Sequence, residues 1–228
     1  MIASIHRTSW AAVHEILVYN LGLTIQEKQF FQTLAKVKVL EFPEYINDFY
    51  YGYLEPKQYA WKMCCIKEGG NYGDQVFWLD SGIVCLRDMQ EIYDEIEKDE
   101  IFLVDNSYWR IGDHLSPNCA KIMKVTEEEK KAPMISGGIQ GYRANGYYQD
   151  YVDEGFEWSQ VQEAVHGPYQ CHRHDQTVYS ILAYRYGLSE QLHDIFVYGN
   201  WNSINAVPNQ FFYVHRRIYH NILGLTRV

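Results

Sequence analysis

The sequence predicts an α/β protein built on a parallel sheet, and three stretches predict it. Residues 14–42 read strand, short helix, strand, an order that needs a parallel pair because the crossover returns the chain to the same end of the sheet. Residues 76–84, VFWLDSGIV, open as a continuous β-branched and aromatic run, the pattern of a buried parallel strand. Residues 86–98 place Leu86, Met89, Ile92, Tyr93 and Ile96 on one helical stripe.

The elements come in order. A strand over residues 14–20 ends at Leu21-Gly22, and Thr24 caps a helix to about Leu34 with Glu27 in the capping-box position. Val37 to Phe42 is the second strand, closed by Pro43. A Tyr-rich loop over 44–60 leads into a short helix over 62–67, stopped by Gly69-Gly70. After the strand at 76 and the helix at 86, Ile101 to Val104 is a further strand, 117–123 a short helix and 127–131 a solvated charge run. Gly137, Gly138 and Gly141 lack phosphate-loop spacing, so the segment from Pro133 reads as a strand whose backbone approaches a ligand or another chain. A helix over 147–165 is broken by Gly167-Pro168, and Asp175 caps a helix carrying Val178, Ile181, Leu182 and Tyr186. Two short strands, around 195–198 and 211–214, complete the chain, which reads as one domain over 1–228 without repeats or linkers.

Composition narrows the function. Hydrophobic residues make up 47% of the 228 and charged residues 21%, a globular balance. A net charge of -9, with Lys130-Lys131 the longest basic run outside His215-Arg216-Arg217, argues against a nucleic-acid surface. Aromatics reach 16%, which fits an aromatic core and equally the flat C–H faces of sugars. Five cysteines without CxxC spacing or a secretory leader predict free thiols and a cytoplasmic protein, and no apolar run is long enough to span a membrane.

Three clusters carry the chemistry. Asp80 stands where a strand ends, the position at which open α/β sheets bind ligands, with Ser81 and Gly82 allowing close backbone approach. Alternatively it only caps the helix after the turn. His172-Arg173-His174-Asp175-Gln176 packs two imidazoles, a guanidinium, a carboxylate and an amide at a helix start, where free N–H groups favour anions. There Asp175 is either a general base or a plain N-cap, and the alternating histidines either bind a metal or phosphate or face solvent. A zinc-dependent hydrolase using His172, His174 and Asp175 is a further reading, without a partner cluster elsewhere. The third cluster is the basic His215-Arg216-Arg217.

The series YNLGL (19–23), VLEF (39–42), YAWK (59–62), VFWLDSG (76–82) and HRHDQTVYSIL (172–182) resembles nucleotide-sugar glycosyltransferase-like proteins of the GT-A fold, over about residues 4–188. The resemblance implies a Rossmann-like α/β/α sandwich with a mostly parallel sheet. It also implies transfer of a hexosyl or pentosyl group from a nucleotide-diphosphate donor to the hydroxyl of a glycan or other acceptor. On it, residues 1–110 form the nucleotide-sugar half, 111–190 the acceptor and catalytic half and 191–228 a tail, with the fold's usual first strand missing. Asp80 falls on the Asp-x-Asp motif that holds Mn2+ or Mg2+ against the diphosphate, but Gly82 replaces the second carboxylate. Either His174 or His215 completes the metal site, or the enzyme works without metal and Arg216, Arg217 or Lys62 stabilises the departing phosphates. Asp175 and Gln176 match the DQ pair of retaining galactosyltransferases and glycogenins, which makes them the catalytic candidates. Trp61, Lys62, Ser81, Gly82 and Arg216 join Asp80 as donor-binding candidates, and His172, Arg173 and Gly138 are the acceptor-binding ones. The stereochemical outcome stays open, and the missing second carboxylate equally suits an inactive sugar-binding or assembly module.

Overall fold

The computed structural model describes residues 1–193, 196–198 and 210–214. In chain order the elements are α1 (Ile2–Thr8), β1 (Ile16–Tyr19), α2 (Ile25–Gln32), β2 (Val37–Leu40), α3 (Ala60–Gly69), β3 (Gln75–Leu79), β4 (Ile83–Cys85) and α4 (Gln90–Asp99). Then come β5 (Ile101–Arg110), α5 (Pro117–Ile122), β6 (Pro133–Arg143), α6 (Gln149–Ser159), α7 (Gln162–Val165), α8 (Asp175–Arg185), β7 (Phe196–Tyr198) and β8 (Phe212–Val214). They divide into two compact units: Met1–Pro43, Leu79–Glu95 and Ile195–Val228 form the first, Glu44–Trp78 and Ile96–Asp194 the second. Among the described residues no helix is long and apolar enough to cross a membrane.

In the first unit β1 and β2 pair in parallel, Ile16 opposite Val37 through Tyr19 opposite Leu40. The helix between them starts as the sequence predicts: Thr24 accepts from the Glu27 amide while the Glu27 carboxylate accepts from the Thr24 amide, satisfying two otherwise orphaned donors. β8 pairs antiparallel with β4 and parallel with β7. Ser4 and Ser9 accept from the Cys85 and Met89 amides, fixing α1 against the segment after Asp80.

The second unit carries a sheet in the order β3-β6-β5. β5 and β6 run antiparallel, so the sheet pairing is mixed, with parallel pairs elsewhere. The β5–β6 register moves from Leu103 opposite Gln140 to Asp105 opposite Ile135. Two residues of β5 are therefore spanned by five of β6, and residues 136–139 bulge from the ladder.

α8 is buried on every side from Asp175 to Ala183, the behaviour of a central rather than a surface helix. It is packed so closely on α6 that a Cβ on Gly155 would lie 2.3 Å from the Tyr179 ring.

Four expectations are corrected. β3 is half-buried along its length, not fully covered. The helix predicted over 147–165 is two, α6 and α7, parted by a turn at Gln160 and Val161. The charge run at 127–131 is not wholly solvated, because Glu129 is buried and takes the Arg185 guanidinium at 2.6 Å. Asp175 does not cap α8: the cap is His174, and Asp175 is the first helical residue.

Candidate active site

Two helix starts in the second unit supply the site. α3 begins after Tyr59 at φ 58°, and α8 after His174 at φ 51°, ψ -121°. Neither cap is glycine or makes a side-chain cap bond, so both backbones hold conformations disfavoured for residues with a Cβ. Their rings meet, with centroids 5.6 Å apart.

In the first turn of each helix stand the charged partners. Lys62 Nζ lies 2.9 Å from Asp175 Oδ2 with both side chains 4% exposed, and it donates to the Gly137 carbonyl in the β6 bulge at 3.0 Å. Tyr59 and Trp78 present ring faces to the same ammonium at 5.2 and 5.7 Å. The carboxylate gains further from the α8 N-terminus. Gln176 donates through Nε2 to the Ile135 carbonyl at 2.7 Å, which fixes the amide and leaves Oε1 as the acceptor for a ligand.

Gly137 is required at this junction. A Cβ there would lie 2.9 Å from Gln176 Cβ and 3.2 Å from Asp175 Oδ2. Gly137 thus admits the chain's own α8 side chains, and Gly141 those of Ile96 and Phe77, an approach that the sequence left to a ligand or another chain. Gly137→Ala is expected to cost about 1–3 kcal/mol in urea unfolding. Gly73→Ala, whose Cβ would meet nothing closer than 3.9 Å, is expected to stay within about 0.5 kcal/mol.

The histidines are buried, not solvent-facing. His172 Nε2–H donates to the Ala164 carbonyl at 3.1 Å and Nδ1 accepts from the Ser116 amide at 3.4 Å. Burial pushes its pKa down to about 4, helped by His174 and opposed by the backbone acceptors. Both nitrogens are engaged, so this ring positions the loop before α8 and has none left for a metal, which removes the first ligand of the zinc hydrolase reading. His174 Nδ1–H donates to Val165 O at 2.9 Å, and burial lowers its pKa as well.

The Arg173 guanidinium lies over the rings of Trp109 and Tyr169, at 4.2 and 4.0 Å from their centroids. Trp61 packs on Trp78 at 6.2 Å with its Nε1 buried and unpartnered. Gly138 is half-buried within the bulge. Asp80, Ser81 and Gly82 belong to the first unit, where Asp80 directly follows β3 and its carbonyl accepts from Ile83 to close the tight turn. His215 and Arg216 lie outside the described residues.

Sequence reasoning missed three groups. Ser136 Oγ in the bulge, Gln140 Nε2 next to it and Asn106 Nδ2 on β5 are buried without partners. Unmet donors of this kind cost about 1–3 kcal/mol each unless something fills them. The SGG run was the one available signal.

No protein-family profile and no curated protein matches the chain. Among solved structures, the galactosyltransferase LgtC in complex with donor and acceptor sugar analogs is 10% identical, with a TM-score of 0.53 over 94% of this chain and 80% of that one. Mouse xyloside xylosyltransferase 1, in its apo form, is 10% identical with a TM-score of 0.45 over 84% of this chain and 80% of that one. The fold is that of the GT-A glycosyltransferases.

Proposed function

We propose that this protein is a glycosyltransferase, moving a hexosyl or pentosyl group from a nucleotide-diphosphate sugar to an acceptor hydroxyl in glycan or polysaccharide synthesis. The observation that carries the reading is the buried Lys62–Asp175 pair, set with Gln176 against the β6 bulge in a GT-A fold. In the transfer the bond from the anomeric carbon to the diphosphate breaks and a bond from the acceptor oxygen forms. Positive charge grows on the sugar, where Gln176 Oε1 and the Asp175 carboxylate oppose it. Lys62 acts as a positioning residue that holds Asp175. Because one Asp175 oxygen is committed to Lys62, we favour a retaining course, with the acceptor proton leaving on the departing phosphate. An inverting course would put that proton on Asp175.

Trp61, Asp80, Ser81, Gly82 and Arg216 are proposed for the donor and Gly138 for the acceptor. The free thiols support the cytoplasm. The divalent cation usual to this chemistry does not fit the described residues. Gly82 offers no carboxylate beside Asp80, His174 Nδ1 is committed to the Val165 carbonyl, His215 lies outside the described residues, and no group of three His, Cys, Asp or Glu among the described residues is arranged for a metal. No step here is routed through one. The Gly82 substitution also supports a second reading, sugar binding without transfer.

Thermal unfolding with a panel of nucleoside diphosphates and nucleotide sugars, each with and without Mn2+ or Mg2+, tests the proposal. At ~100 times its dissociation constant the correct donor is expected to add roughly 2.7 kcal/mol. Asp175→Asn is expected to keep that shift and lose transfer by about 100-fold or more. A nucleotide shift with no turnover would favour the binding module, and no shift with any nucleotide would overturn the transferase.

A further inference from the structure

Arg173 is a cation prepared for a partner that the described residues do not supply. Its Cζ sits 4.2 Å from the Trp109 ring centroid and 4.0 Å from that of Tyr169. Both rings lie within cation–π distance of the guanidinium, and its N–H groups remain the donors it can offer a ligand. Nε is buried without a hydrogen-bond partner. The chain has 29 acidic residues against 20 Lys and Arg, yet among the described residues no carboxylate lies within ion-pair distance of Arg173. Asp175, two positions on, is given to Lys62.

The surroundings define the ligand further. Trp109 also packs on His114 at 4.3 Å, and His114 Nδ1 is buried without a partner. Burial and the Arg173 charge both lower the His114 pKa, so a neutral imidazole accompanies the cation. Tyr169 remains 49% exposed, an aromatic surface on which the C–H face of a sugar packs. Its other ring neighbour is His174, at 6.2 Å and 26°, the residue before Asp175.

We infer that Arg173 reads a carboxylate or phosphate on the acceptor, so that the acceptor is an anionic sugar, a uronic acid or a sugar phosphate. The inference rests on the transferase reading for the word acceptor, but not for the subsite. The guanidinium edge donates two parallel N–H bonds to the anion, a geometry that a lysine does not reproduce.

Calorimetric titration of the whole chain with methyl glucuronide, glucose 6-phosphate, methyl glucoside and uridine diphosphate tests it. The acids are expected to bind about 10- to 100-fold more tightly than the neutral glycoside, one charge-assisted bidentate contact. Arg173→Gln is expected to abolish that preference and leave the diphosphate unaffected. If Arg173→Gln does not fold, Arg173→Lys decides, with the preference expected to fall several-fold although the charge remains. The carboxylate and phosphate arms separate the two sources of the anion. Equal binding of acids and neutral glycoside by the wild type would overturn the proposal, as would a preference that survives both variants. Weakened diphosphate binding with sugar acids unaffected would move Arg173 to the donor and overturn it also. Anion preference without turnover would instead overturn the transferase and leave the subsite standing.

Discussion

Lys62→Met is expected to lower the free energy of unfolding by about 3–5 kcal/mol, the scale found when one partner of a buried ion pair is removed. Two losses add. The Asp175 carboxylate, buried at 3% exposure, loses the ammonium 2.9 Å away, and the Gly137 carbonyl loses its donor. An exposed pair such as Arg87–Glu91 is worth about 0–1 kcal/mol on the same scale. Asp175→Leu alone strands the ammonium. Lys62→Met with Asp175→Leu strands neither charge and is expected to cost clearly less than the two single losses together. Urea unfolding of all four proteins at neutral pH closes the cycle. A single-variant cost below about 1 kcal/mol would mean that water reaches the pair and that α3 and α8 are not tied through it.

That pair also marks the limit of what the sequence disclosed. Local rules sufficed where the determinant was local. The Thr24 capping box forms from residues three apart, and β3 ends at Leu79, just before Asp80, as its apolar run requires. The motif series pointed to the GT-A fold before the structure showed it. Asp175 was misplaced as an N-cap because its neighbours admit that role, whereas its partner comes from α3, far earlier in the chain. Arg173 was visible as a charge, but the rings that it lies over, Trp109 and Tyr169, come from separate segments and leave no spacing to detect. The alternation of His172 and His174 suggested ligation of something external. Their acceptors are the Ala164 and Val165 carbonyls at the end of α7, and backbone carbonyls carry no sequence signature. The β6 glycines were legible as a place of close approach, but not what approached.

The buried imidazole gives the second large effect, a loss of stability in mild acid. The His172 side chain has no exposure, and burial lowers its pKa from 6.5 to about 4 in the folded protein. Protonating Nδ1 would set a new N–H against the Ser116 amide N–H that it now accepts, in a setting where the His174 ring at 5.5 Å also disfavours a cation. The unfolded chain therefore binds the proton first, and stability rises with pH wherever it does. The contribution is complete above about pH 6.5, declines as the pH falls, and is lost by about pH 4. Over that window the difference is about 3 kcal/mol from this ring, and His174, shifted the same way, adds to it. Urea unfolding at pH 7.5, 6, 5 and 4 measures the slope, and His172→Gln supplies the control. That variant is expected to be less stable at neutral pH, because two buried hydrogen bonds are disturbed, yet to lose most of the decline between pH 6.5 and 4. An equally steep decline in the variant would assign the acid sensitivity to other groups and return His172 to the role of a ligand-binding ring open to solvent.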